Sequence, residues 1–270
     1  MQRILLACVS TVLLAGCAGS YVTPPSGVTM AELTDSTDRN LRRYYNTQPA
    51  SPFPANIAVV RVQDHNYYTR SARGVGDGRY SVVVTRDIES DDAVEKFREL
   101  PLVSRIAPIG KILLPPQTNT LRDLRVPAAK LHADLLLVYS VDTAFHVEGK
   151  SLGPLSTISL GLIRNKKAHV SSTVAGVLVD VRTGYIYGTT EATATETQKA
   201  SIWSEEHAID TARLRAEKIA FSDFVDEFGS LWKGVVDVYA ASPGRVATVP
   251  PRPVEPATLP RNGYWTDGTH

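Results

Sequence analysis

The sequence predicts an α/β (α+β) fold, a mixed β-sheet covered by helices, with a long C-terminal helix. Three observations carry this. Short runs rich in Val, Ile and Leu alternate with stretches of helical spacing across residues 55–240. Residues 134–147 (DLLLVYSVDTAFHV) open as an unbroken apolar run, the pattern of a central strand buried on both faces. Residues 204–238 repeat apolar side chains at three- and four-residue steps, as a helix packed on a sheet requires. Helices over a sheet bury the apolar side of both.

Each element has a local reason. Residues 31–45 suggest a short helix of weak periodicity, and Pro49, Pro52 and Pro54 then break the chain. Residues 56–63 (NIAVVRVQ) form the first strand. Residues 65–79 are polar, hold Gly74, Gly76 and Gly78, and read as a flexible loop; residues 80–85 (YSVVVT) form the second strand. Ser90 is a good N-cap, with Asp91 and Asp92 in the first turn of a helix through Leu100, stopped by Pro101. Residues 103–114 contain one strand interrupted near Pro108, and 120–132 are helical in part, with Pro127 limiting the start or kinking it. Residues 170–181 and 185–197 flank Arg182-Thr183-Gly184 and read as a β-hairpin. Ser204, Glu205 and Glu206 start the last helix. Its expected stripe is Ile209, Ala212, Ala216, Ile219, Ala220, Phe224, Phe228, Leu231 and Val235.

The first seventeen residues are an address. A positive start is followed by an apolar run eleven residues long, 4–14 (ILLACVSTVLL), too short for a bilayer crossing of roughly 20 residues. The run ends in Leu14-Ala15-Gly16-Cys17, which resembles the bacterial lipoprotein box. That resemblance implies acylation of Cys17 (palmitate among the chains) and cleavage just before it. Several acyl chains on one residue give a stable anchor, where one is marginal. Ala18 stands where an aspartate retains enterobacterial lipoproteins at the inner membrane, so the outer membrane is expected. The organisation follows: 1–16 signal peptide, 17–54 anchor and tether with a short helix, 55–240 one α/β domain, 241–270 a disordered Pro-rich tail.

Composition excludes several classes. The 270 residues carry 29 basic and 28 acidic side chains, so nothing points to nucleic acid. Both cysteines, Cys8 and Cys17, lie in the address, which removes disulfide scaffolds, zinc fingers and cysteine proteases from consideration.

Asn56-Ile-Ala-Val-Val, Ala133-Asp-Leu-Leu-Leu-Val and Leu178-Val-Asp-Val-Arg-Thr-Gly-Tyr-Ile-Tyr together resemble a bacterial envelope module. It is the periplasmic domain of curli-secretion-channel-type lipoproteins and the N-terminal domain of the Tol translocation protein. The shared features are an opening apolar strand, Ala-Asp before a central strand, and an Asp-x-x-Thr-Gly hairpin. In that hairpin Asp180 and Thr183 can bond turn amides, and Gly184 supplies positive φ. More narrowly, the chain resembles the rhombotarget lipoprotein group. It ends in a Pro-rich polar tail in place of that group's Gly-Gly motif, apolar helix and basic cluster.

No nucleophile elbow, phosphate loop or His-Glu-x-x-His occurs, and no two of His65, His132, His146, His169, His207 and His270 have metal-ligand spacing. Catalytic residues, metal ligands and cofactors are therefore expected to be none. His132 is read as a helix-end residue and His146 as a solvent-facing strand position. Residues 152–163 (LGPLSTISLGLI), next to Arg164-Asn-Lys-Lys167, are apolar for a connection. They are either a further strand or core flap, or a partner or membrane contact through Leu155, Ile158, Leu160, Leu162 and Ile163. The expected function is a non-enzymatic binding or assembly module: an outer-membrane lipoprotein facing the periplasm. Its partners would be the membrane through its acyl chains, and envelope proteins or other copies of itself. The alternatives are an enzyme acting on cell-wall or lipid material and a secretion-channel component.

Overall fold

The computed structural model describes residues 41–149, 166–200 and 205–240. They form a mixed α+β fold. In chain order the elements are α1 (Leu41–Asn46), β1 (Ala55–Asp64), β2 (Gly74–Val75), β3 (Tyr80–Val83), α2 (Asp91–Arg98) and β4 (Val103–Pro108). A 3-10 turn (Lys111–Leu113), α3 (Leu121–Lys130), β5 (Leu135–Gly149), β6 (Lys166–Asp180), β7 (Ile186–Ala200) and α4 (Glu205–Tyr239) follow. The order expected from the sequence is the order found, with β2 added.

The sheet is seven-stranded, β2-β3-β1-β5-β6-β7, with β4 pairing the first half of β1. β1 runs parallel to β4 and β5; the β1–β3, β2–β3, β5–β6 and β6–β7 pairs are antiparallel. The central position of β5 explains its apolar run. Leu135, Leu137, Tyr139 and Val141 enter one core layer, and Leu136 and Val138 the other. The first layer packs under α2 and α4, where Phe97, Phe221, Phe224, Phe228 and Trp232 are buried; the Phe97 and Phe228 rings lie 5.2 Å apart. The second packs under α3, through Leu121, Leu124 and Ala128.

Ser90 caps α2 as expected, its hydroxyl accepting the Ala93 amide. Three expectations are corrected. Pro127 does not limit the start of α3: the helix begins at Leu121, and Pro127 lies buried inside it. The start is fixed by Asp123, whose carboxylate accepts the Asn119 and Thr120 amides and the Thr120 hydroxyl. The glycine-rich stretch at 74–78 is packed. A Cβ on Gly74 would lie 2.1 Å from the Ser81 hydroxyl, and one on Gly78 2.2 Å from the Thr118 amide nitrogen. These glycines permit close approach of chains. Finally, Ile219 of the expected stripe is 39% exposed, and Phe221, Val225 and Trp232 are buried instead. The covered face is wider than the notional line because α4 packs on β6 and β7 and also meets α2.

Candidate functional site

Cys17 and the segment carrying Leu155, Ile158, Leu160, Leu162 and Ile163 lie outside the described residues, as do the leader and the tail. The structure does show where the segment is attached. Gly149 pairs with Lys166, so 150–165 connect the two arms of one long hairpin.

The described residues hold two polar clusters that position this hairpin. The first is a seam of buried charge beneath α4. Arg61 of β1, 2% exposed, donates 2.8 Å to Asp87 and 3.0 Å to the Tyr67 hydroxyl. The Tyr139 hydroxyl donates 2.6 Å to Glu89, whose carboxylate also lies 3.7 Å from Arg61. Ser71 joins the two halves: it donates 2.6 Å to Asp87 and accepts 3.2 Å from Arg213 of α4. Arg213, wholly buried, reaches Glu217 at 2.6 Å and Asp210 at 3.0 Å. Glu217 accepts from Thr143 of β5, whose hydroxyl is 3.0 Å from Ser172 of β6.

Electrostatics follow from burial. Burial pushes the Tyr139 hydroxyl well above its ordinary range, with the Glu89 charge adding to it. Tyr67 is raised by burial, partly offset by Arg61. Glu217 is also raised by burial, against the opposing pull of Arg213 and Arg61. Burial works against the charge on Arg213, but Glu217 and Asp210 outweigh it and hold the guanidinium charged. Each of Asp87, Glu89, Asp210 and Glu217 faces an arginine, the arrangement a buried charge needs. The seam ties the loop over β1 to the hairpin and helix.

The second cluster lies at the other end of the sheet and carries the hairpin motif read from sequence. Asp180 accepts the Arg182 and Thr183 amides at 2.8 and 2.9 Å. Its other oxygen accepts the Ala50 amide at 2.7 Å, the Ser51 hydroxyl at 2.8 Å and the Tyr187 hydroxyl at 3.2 Å. Burial raises its pKa, but these bonds outweigh burial and leave it below the usual value. Thr183 accepts the Tyr185 amide, and Gly184 has φ +79°, both as expected. Asp134 accepts the Asn56 amide and side chain and meets Arg182 at 3.3 Å. Beside them Tyr185 and Tyr239 share a hydroxyl contact of 2.9 Å; burial and that contact push Tyr239 up to about 12.

The clusters give the molecule two ends. The chain from the N-terminus enters at Ala50–Ser51, beside Asp180. α4 passes Val170 at Ala212 and Ala216, then Gly176 at Phe224, and finishes at Tyr239 against Tyr185. Residues 1–46 and 241–270 thus attach at one end of the sheet, and 150–165 at the opposite end. Fifteen residues of β5 separate them, about 45–50 Å.

The seam was not anticipated. Arg61 reads as one charge in an apolar run, and Arg213 and Glu217 fall between the expected stripe residues. The available signal was the four-residue spacing of Arg213 and Glu217 on a helix due to be buried. Among the histidines, His65 bonds the Gly78 carbonyl and His132, at φ +55°, ends α3 as read. His146 pairs in register with His169. Among the described residues no group of three or more His, Cys, Asp or Glu could hold a metal ion. No described helix is long and apolar enough to cross a membrane.

No family model matches the chain, and no curated protein matches it. Several solved structures overlap it. Lipoprotein GNA1162 from Neisseria meningitidis is 14% identical, covering 70% of this chain and 100% of that one at a TM-score of 0.29. The rare lipoprotein B from Shewanella oneidensis is 8% identical, covering 67% and 98% at 0.28. Protein XCC0632 from Xanthomonas campestris is 10% identical, covering 70% and 92% at 0.35. Likenesses this distant transfer no role to this chain.

Proposed function

We propose that this chain is an outer-membrane lipoprotein, acylated at Cys17 and facing the periplasm, that serves as a non-enzymatic binding or assembly module. The observation that carries the reading is the two-ended architecture. The tether from Cys17 joins the sheet at the Asp180 end, and the hairpin connection lies about 45–50 Å away. The 23 residues between Cys17 and α1 would span roughly 25–30 Å as a flexible chain. The tether holds the Asp180 end near the membrane and leaves the far ends of β5 and β6 free to reach about 45–50 Å further out.

Leu14-Ala-Gly-Cys17 supports the anchor, and Ala18 supports outer-membrane sorting. The buried seam supports a rigid spacer, since every charge in it is engaged in holding strands, loop and helix together. The test is site-specific photocrosslinking in intact cells. Probes at Asp142 and Ala144, both exposed toward the hairpin end, are expected to capture envelope protein. A probe at Tyr45, 85% exposed beside the tether, is expected to capture none. Capture confined to Tyr45 would contradict the proposal.

A further inference from the structure

The two edges of the sheet are not alike. On one side β2 has two residues, and β4 has six and ends in Pro108. Short strands and proline are devices that close an edge. On the other side β7 runs fifteen residues, Ile186–Ala200, paired only with β6 among the described residues. It contains no proline, and its register with β6 is unbroken from Gly188 to Ala200. Such an edge leaves alternate backbone amides and carbonyls, about seven residues' worth, directed outward.

The side chains of β7 divide by face. Ala192 and Ala194 are buried under α4. Glu191, Thr193, Thr195 and Thr197 are exposed on the opposite face. There the hydroxyls form a ladder with β6: Thr193 with Thr173 at 2.7 Å, Thr195 with Ser171 at 3.4 Å, and Thr197 with His169 at 3.0 Å. No described helix covers this part of the face, since α3 packs lower, against Leu136, Val138, Val177 and Val179.

We infer that the outer edge of β7 pairs antiparallel with β7 of a second copy of this chain, about a two-fold axis at Thr195. The choice of occupant rests on charge. A two-fold antiparallel pair opposes residues equally distant from the axis. An axis at Thr195 sets Glu191 of each copy opposite the register position of Lys199 in the other, with Thr193 facing Thr197 between them. Opposite charges and Thr–Thr pairs are favourable cross-strand partners. An axis at Glu191 would instead oppose two glutamates. The chain's own termini fit poorly. Residues 241–270 carry six prolines, which cannot donate to a ladder, and both termini attach at the far end of the sheet.

The inference rests on the strand edge and holds whether or not Cys17 is acylated. The test uses the full chain in mild detergent. Opposed residues have Cα atoms about 4.5–5.5 Å apart, within disulfide range. Thr195→Cys is therefore expected to give a disulfide dimer of the chain under mild oxidation, above the background of the unsubstituted chain. Thr189→Cys, on the same strand outside the paired span, is expected to give none. Glu191→Lys should weaken the dimer about tenfold in sedimentation, and Glu191→Lys with Lys199→Glu should restore it. Equal crosslinking at both positions, a monomer at all concentrations, or disulfide capture of a different protein by Thr195→Cys would each overturn the inference.

Discussion

Asp180 receives five hydrogen bonds from three stretches of chain, and its carboxyl is held below the usual range by them. Asp180→Asn removes the charge and replaces one acceptor oxygen with a donor, facing the Ala50 amide and two hydroxyls. The expected cost is about 2–3 kcal/mol in chemical denaturation. The linkage sign is fixed by the depressed value. The contribution is present above the unfolded carboxylate value of about 3.9 and is lost as pH falls through the lower folded one. The difference between parent and variant should therefore shrink in acid. Glu217 has the opposite sign: its raised value makes stability fall as pH climbs from the unfolded to the folded value. Arg213→Met strands Glu217 as an unpaired buried acid and should cost about 3–5 kcal/mol. Arg213→Met with Glu217→Leu should recover much of that, because both charges leave together. A double variant as unstable as the sum of the singles would deny the coupling.

At the level of elements, α4 is the main cover of the sheet, and Phe228 is wholly buried between α2 and the strands. Phe228→Ala should cost about 3–5 kcal/mol, measured by denaturant unfolding. A change within about 0.5 kcal/mol would mean that α4 is an interaction surface and not core. The strands and helices were legible because their apolar periods are local properties of the sequence. The Asp180 turn was legible for the same reason, since Asp, Thr and Gly act within five residues. The seam was not, because Arg61, Asp87 and Arg213 meet across up to 152 residues of chain. α3 starts ahead of Pro127 because the capping by Asp123 and the burial of the helix outweigh the one bond that proline removes. The packing of Gly74 and Gly78 depends on Ser81 and Thr118, which composition alone cannot place next to them.

The whole molecule has a direction, with both termini attached at the Asp180 end and a long hairpin at the other. Its last described helical residue, Tyr239, is fastened to Tyr185 through their hydroxyls. Truncation after Ala241 should therefore change the melting temperature by less than about 5 °C, or roughly 1–2 kcal/mol for a chain of this size. A larger fall would show that residues 242–270 dock on the domain. That direction has functional meaning only if Cys17 holds the near end to a membrane. The most direct test is fractionation of cells expressing Cys17→Ser. Release from the membrane fraction, or a precursor that keeps its leader, is expected. A fully processed Cys17→Ser protein that still sediments with the membrane would contradict it.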